Sequence, residues 1–76
     1  MSEQLKEKIN LFKENNSGFV PSIKPEIIPI SNGYFLTISI LSPGGNLISS
    51  ASTYTNNANL ENDIEKTTIE AIERCL

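Results

Sequence analysis

Between Asn32-Gly33 and Ser42-Pro-Gly-Gly-Asn46 lies a run of alternating apolar character, Tyr34-Phe-Leu-Thr-Ile-Ser-Ile-Leu41. Tyr34, Leu36, Ile38 and Ile40 share one face. Phe35, Thr37, Ser39 and Leu41 share the other. Side chains that alternate faces, drawn mostly from β-branched and aromatic types, predict a strand over 34–41. The first face is the natural core face. The turn residues at 42–46 then predict a hairpin into a second strand, 47–54. That strand, Leu-Ile-Ser-Ser-Ala-Ser-Thr-Tyr, is poorer in apolar residues, so one of its faces is expected to meet solvent.

The flanking segments have the helical period instead. Leu5, Ile9 and Phe12 fall at i, i+4 and i+7. Ser2 is the expected N-cap, Glu3 suits the positive end of the helix dipole, and Asn15-Asn-Ser-Gly18 ends the helix. At the other end of the chain Leu60, Ile64, Thr67 or Thr68, Ala71, Ile72 and Cys75 follow the same spacing, widened by Ile69 and Leu76. Glu61 and Asp63 stand in the first turn and Arg74 in the last, with Asn57 or Asn59 available as cap. A helix over 60–76 would be about 25 Å long, enough to cross a three-stranded sheet.

Residues 21–30 fit neither pattern cleanly. Pro21, Pro25 and Pro29 recur among Ile23, Ile27, Ile28 and Ile30. Proline cannot donate to a ladder, which excludes a central strand and leaves an extended edge strand. A polyproline-type ligand is the other reading, but interleaved isoleucines favour a core. The predicted order is α-β-β-β-α in one domain, 1–76. An α+β fold with a three-stranded antiparallel sheet and both helices on one face buries the amphipathic surfaces most simply.

Composition narrows the function. A chain of 76 residues buries only about 60% of its unfolded surface, so the core is thin. The net charge is −3 and there is no histidine, which argues against a general polyanion binder and removes the commonest general base and metal ligand. The one cysteine, Cys75, permits no internal disulfide. No apolar stretch approaches membrane-spanning length, and residues 1–8 lack the apolar block of a signal peptide. A cytoplasmic protein without membrane attachment is expected.

The element order resembles the double-stranded-RNA-binding domain. Phe35-Leu-Thr-Ile-Ser-Ile40 corresponds to its central strand and the segment Ile64 to Leu76 to its final helix. That family carries a basic cluster where the last helix begins, for phosphate contacts across a groove. Here the corresponding residues are Asn59-Leu-Glu-Asn-Asp63, which repel phosphate, so no RNA contact carries over. Ala71-Ile-Glu-Arg-Cys-Leu76, with Asp63-Ile-Glu-Lys66 upstream, also resembles a helical ending found in phage single-strand annealing proteins, which are much longer.

Candidate chemistry is sparse. Glu61, Asp63, Glu65 and Glu70 line the final helix, and carboxylate pairs can do acid–base work or hold magnesium. With no nucleophile and base beside them, a solvated helix surface is the ordinary reading. Pro43-Gly-Gly45 lacks the Lys-Ser/Thr of a phosphate loop. Arg74 beside Cys75 would lower the thiol pKa if the two interact, although a cysteine on an apolar stripe is more often buried. Tyr34 and Tyr54 would stack bases only if exposed. No catalytic residue, metal or cofactor is expected.

The expectation is therefore a small non-enzymatic protein-binding module, an accessory or inhibitor of the kind mobile elements and phages encode, acting by occupying a partner's surface. Its partner-contact residues are expected to be Glu61, Asp63, Glu65, Ile72 and Leu76, with a protein or a second copy as partner. The alternative is a nucleic-acid-binding module or annealing-protein fragment using Lys6, Lys8, Lys13, Lys24, Lys66 and Arg74.

Overall fold

The computed structural model describes residues 2–76. Helix α1 spans Glu3–Asn15 and helix α2 spans Leu60–Glu73. Between them run strands β1 (Ser22–Ile30), β2 (Gly33–Leu41) and β3 (Leu47–Thr55). The sheet is antiparallel in the order β1-β2-β3, which puts the apolar run at its centre. This is the α-β-β-β-α order of the double-stranded-RNA-binding domain.

Local chemistry accounts for the boundaries. The Ser2 hydroxyl accepts from the Leu5 N–H at 3.2 Å and opens α1. At its other end the Gly18 N–H returns to the Lys13 carbonyl, with Ser17 and Gly18 at positive φ. Helix α2 ends at Glu73, so Cys75 and Leu76 lie beyond it rather than within it. The Asn59 side chain makes no capping bond; the Asn59 carbonyl accepts from the Asp63 N–H instead.

Strand β1 pairs with β2 over its full length despite its prolines. Pro25 lies opposite Ile38 and Pro29 opposite Tyr34. Their spacing of four puts both at the same kind of ladder position, the one whose N–H points away from β2. The register also sorts the faces. Ile23, Pro25 and Ile27 lie opposite Ile40, Ile38 and Leu36, while Ala51 completes the Ile38 row from β3.

The core is the helix side of this sheet. Leu36, Ile38 and Ile40 are wholly buried with Ala51, Phe12, Leu5, Ile69, Ala71 and Ile72. Helix α2 lies against β2 and β3, and α1 packs on α2. The two helices run in the same direction, since the Ser2 N–H meets Glu65 and Lys8 meets Glu73. Ile64 is only partly buried, at the margin of the cluster. No helix among the described residues is long and apolar enough to cross a membrane.

Candidate partner-binding surfaces

Because both helices occupy one face, the other face of the sheet is bare. It carries Lys24, Glu26, Ile28 and Ile30 from β1, Phe35, Thr37 and Ser39 from β2, and Ser50, Ser52 and Tyr54 from β3. Its middle is polar, and the Thr37 and Ser52 hydroxyls hydrogen bond at 3.1 Å. One end is apolar. Ile28, Phe35 and Tyr54 form a single row across all three strands. The Phe35 and Tyr54 rings pack at 5.2 Å with a 49° tilt. Tyr54 is nevertheless 73% exposed, which leaves a large amphipathic ring in water. The sequence already placed Phe35 opposite the core face; the row itself depends on strand register, which no single segment encodes.

The α2 residues expected to contact a partner are dispersed. Glu61 is exposed and Asp63 half-buried in the first turn. Glu65 turns toward α1, where its Oε1 accepts from the Ser2 N–H at 2.8 Å. Hydrogen bonds from the Ser2 side chain and backbone hold its carboxyl below the usual carboxylate range. Ile72 is 0% exposed. It belongs to the core between α2 and the sheet: the helical stripe that made it prominent is the stripe the sheet buries. Leu76 is 44% exposed. The expected set thus does not form one patch.

Arg74 does not act on Cys75. Its guanidinium donates to the Ser50 carbonyl at 2.8 Å and to Glu70 at 2.9 Å. The Cys75 thiol donates to the Ile72 carbonyl, and partial burial pushes its pKa up, away from thiolate chemistry. Tyr34, on the helix side, is half-buried. Among the described residues no group of three or more metal-ligating side chains is gathered.

The basic residues are scattered as well. Lys8 is paired with Glu73 at 3.3 Å. Lys6 and Lys13 flank a shallow apolar groove along α1 with Ile9 and Val20. Lys24 stands alone on the bare face beside Glu26. No protein-family model, curated protein or solved structure matches the chain.

Proposed function

We propose that this chain is a small non-enzymatic module that binds another protein through the apolar end of its bare sheet face. The observation that carries this reading is the Ile28–Phe35–Tyr54 row, with Tyr54 73% exposed and Ile28 45% exposed. Aromatic side chains flanked by apolar neighbours are the usual anchors of protein interfaces. Glu26 borders the row on the same face, with Lys24 one position beyond it on that face. The matching partner is a protein surface with an apolar centre and a polar rim. An accessory protein or inhibitor acting by occlusion needs no more chemistry than this.

The second reading, a nucleic-acid-binding module, is favoured by the element order and by the lysines of α1. Against it stand Glu61 and Asp63 at the start of α2 and the engagement of Lys8 by Glu73.

One pair of measurements separates the two. In affinity capture from host lysate, the parent is expected to retain a partner that Tyr54→Asp loses. Fluorescence anisotropy with duplex RNA at about 150 mM salt is expected to show no saturable binding. Equal retention by parent and variant refutes the bare-face reading. Submicromolar, salt-dependent RNA binding establishes the second reading instead.

A further inference from the structure

The two edges of the sheet are built differently. The β1 edge carries Pro25 and Pro29 with Lys24 and Glu26, the ordinary devices that stop strands from pairing with other chains. The β3 edge, Leu47-Ile-Ser-Ser-Ala-Ser-Thr-Tyr-Thr55, has no proline and no charge. Its outward-facing groups can be identified. The Ser50 carbonyl is reached by Arg74 from outside the sheet, so Ser50 points away from β2. Alternation then turns Ser52 and Tyr54 outward as well. The same alternation, carried across β2, makes Lys24–Ser39 a hydrogen-bonded pair. Pro25 and Pro29 then take the positions that need no donor, in agreement with their presence in β1.

Helix α2 flanks this open edge with a patterned surface. Asp63, Lys66, Glu70 and Arg74 are spaced by three, four and four residues, which lines them along one stripe. Glu65 and Glu73 reach toward α1. The stripe lies off that flank, and its Arg74 end reaches the β3 edge at the Ser50 carbonyl, with Lys66 and Glu70 exposed. Read along the helix, its charges are minus, plus, minus, plus. Such a series is complementary to itself when reversed: Asp63 meets Arg74, and Lys66 meets Glu70.

We infer that a second copy of this chain pairs through β3 about a two-fold axis near Ser50, giving a six-stranded sheet with the two α2 helices side by side. One contact and the helix rise agree with this. The Ser49 hydroxyl donates to the Ala71 carbonyl at 2.7 Å, which fixes where α2 lies along β3. The charge stripe has its centre near residue 68, about three helical residues or 4.5 Å from Ala71. That distance is a little over one strand residue of about 3.3 Å. The axis that pairs the charges is therefore the axis that pairs Ser50 with Ser50. Across the sheet, α2 rests on β2 and β3. Continuing the sheet by one strand spacing of about 4.8 Å would separate the two α2 axes by about 10 Å, the usual distance for packed helices.

In the dimer the Ser50 N–H of each copy donates to the Ser50 carbonyl of the other. Arg74 exchanges its own Glu70 for Asp63 of the second copy. The absence of charge on β3 removes the repulsion that would otherwise oppose self-pairing. A foreign strand would satisfy the edge but not the reversed charge series, and this favours a second copy as occupant. The two surfaces share Tyr54, whose ring belongs to the row and whose backbone belongs to the β3 edge, but the Lys66 and Glu70 variants leave the row intact, so either proposal can fail without the other.

The test is sedimentation velocity across a concentration series on the full chain. The parent is expected to dimerise reversibly. Lys66→Glu places like charges opposite Glu70 of the second copy, and Glu70→Lys places them opposite Lys66. Each variant alone is expected to weaken the dimer at least about tenfold. An equimolar mixture restores it, because every charge again meets its opposite. Since only the mixture regains the dimer, misfolding cannot imitate the result. Ser50→Pro, which removes an outward N–H that β2 does not use, is expected to abolish pairing in the parent while circular dichroism is unchanged. A parent that stays monomeric at every concentration overturns the inference, as does a mixture no better than its components.

Discussion

Ile38 and Ile28 lie on opposite faces of one sheet, and truncating each to alanine tests which face is the core. Ile38 lies on the central strand, opposite Pro25 on one side and Ala51 on the other, with 0% exposure. Ile38→Ala removes three carbons. At about 0.8 kcal/mol per methylene the transfer loss is about 2.4 kcal/mol, and the cavity raises the cost to roughly 3–4 kcal/mol. The β1 and β3 backbones beside it are held by the ladder, so the site has little freedom to collapse. Ile28, 45% exposed on the bare face, should lose less than about 1 kcal/mol. For 76 residues the total stability is about 4–11 kcal/mol, so Ile38→Ala consumes a large part of it. The expected fall in midpoint is roughly 15–30 °C for Ile38→Ala and a few degrees for Ile28→Ala. Urea melts followed by circular dichroism and by tyrosine fluorescence supply the assay. Because the inferred self-association would stabilise the folded state by mass action, both proteins must be compared at one low concentration. Equal losses, or an Ile38→Ala loss under about 1 kcal/mol, would refute the assignment of the core to the helix side.

Two further outcomes follow from particular contacts. Gly33 has φ +153°, and a Cβ there would collide with the Thr55 carbonyl oxygen, whereas Gly45 at φ +86° faces open space. Gly33→Ala is therefore expected to cost about 2–3 kcal/mol and Gly45→Ala about 1 kcal/mol, measured by thermal melts, with the reverse order counting against the close approach of β2 and β3 at this end. Glu65, held below its ordinary value of 4.5 by Ser2, contributes stability that is complete above that value and is lost as pH falls toward the depressed folded-state pKa. Glu65→Gln should thus lower stability at neutral pH and flatten the acid limb of the stability profile, and parallel profiles for parent and variant would show that the Ser2–Glu65 link is not made in solution.

The elements were legible because each carries its own period. Alternation in Tyr34–Leu41 and the helical spacing of Ile64, Thr68, Ala71 and Ile72 are local signals, and the structure follows both. The prolines at 25 and 29 marked β1 as an edge for a local reason too, the missing donor. What the sequence could not show is how surfaces combine. Ile72 and Leu76 are both apolar and near the end of the chain. Only packing makes the first a core residue and leaves the second in water, because the sheet reaches the turn of α2 that holds Ile72, whereas Leu76 lies beyond the helix. The Ile28–Phe35–Tyr54 row joins residues from three strands, and its existence depends on a register set by the β1–β2 turn and the β2–β3 loop. The α2 charge stripe is present in the sequence as a 3-4-4 spacing. Its orientation is decided by α1, which engages Glu65 and Glu73 and so leaves the stripe off that flank, with Arg74 reaching β3.

That last dependence also bears on the β3 edge. In a domain with two helices on one face of three strands, α2 cannot cover both the sheet and its β3 edge. Covering the edge would draw α2 off Leu36 and Ile40, which are wholly buried, at a cost of the order of 2 kcal/mol for each aliphatic side chain exposed. The edge therefore stays open, and among the described residues the contact that reaches it from α2 is Arg74 to the Ser50 carbonyl. A single exposed contact of this kind contributes about 1 kcal/mol. A paired strand would supply several backbone hydrogen bonds in its place, together with the reversed ion pairs along α2. Under the inferred pairing, Arg74 would give up its weak hold on the Ser50 carbonyl as the second strand and helix arrive together.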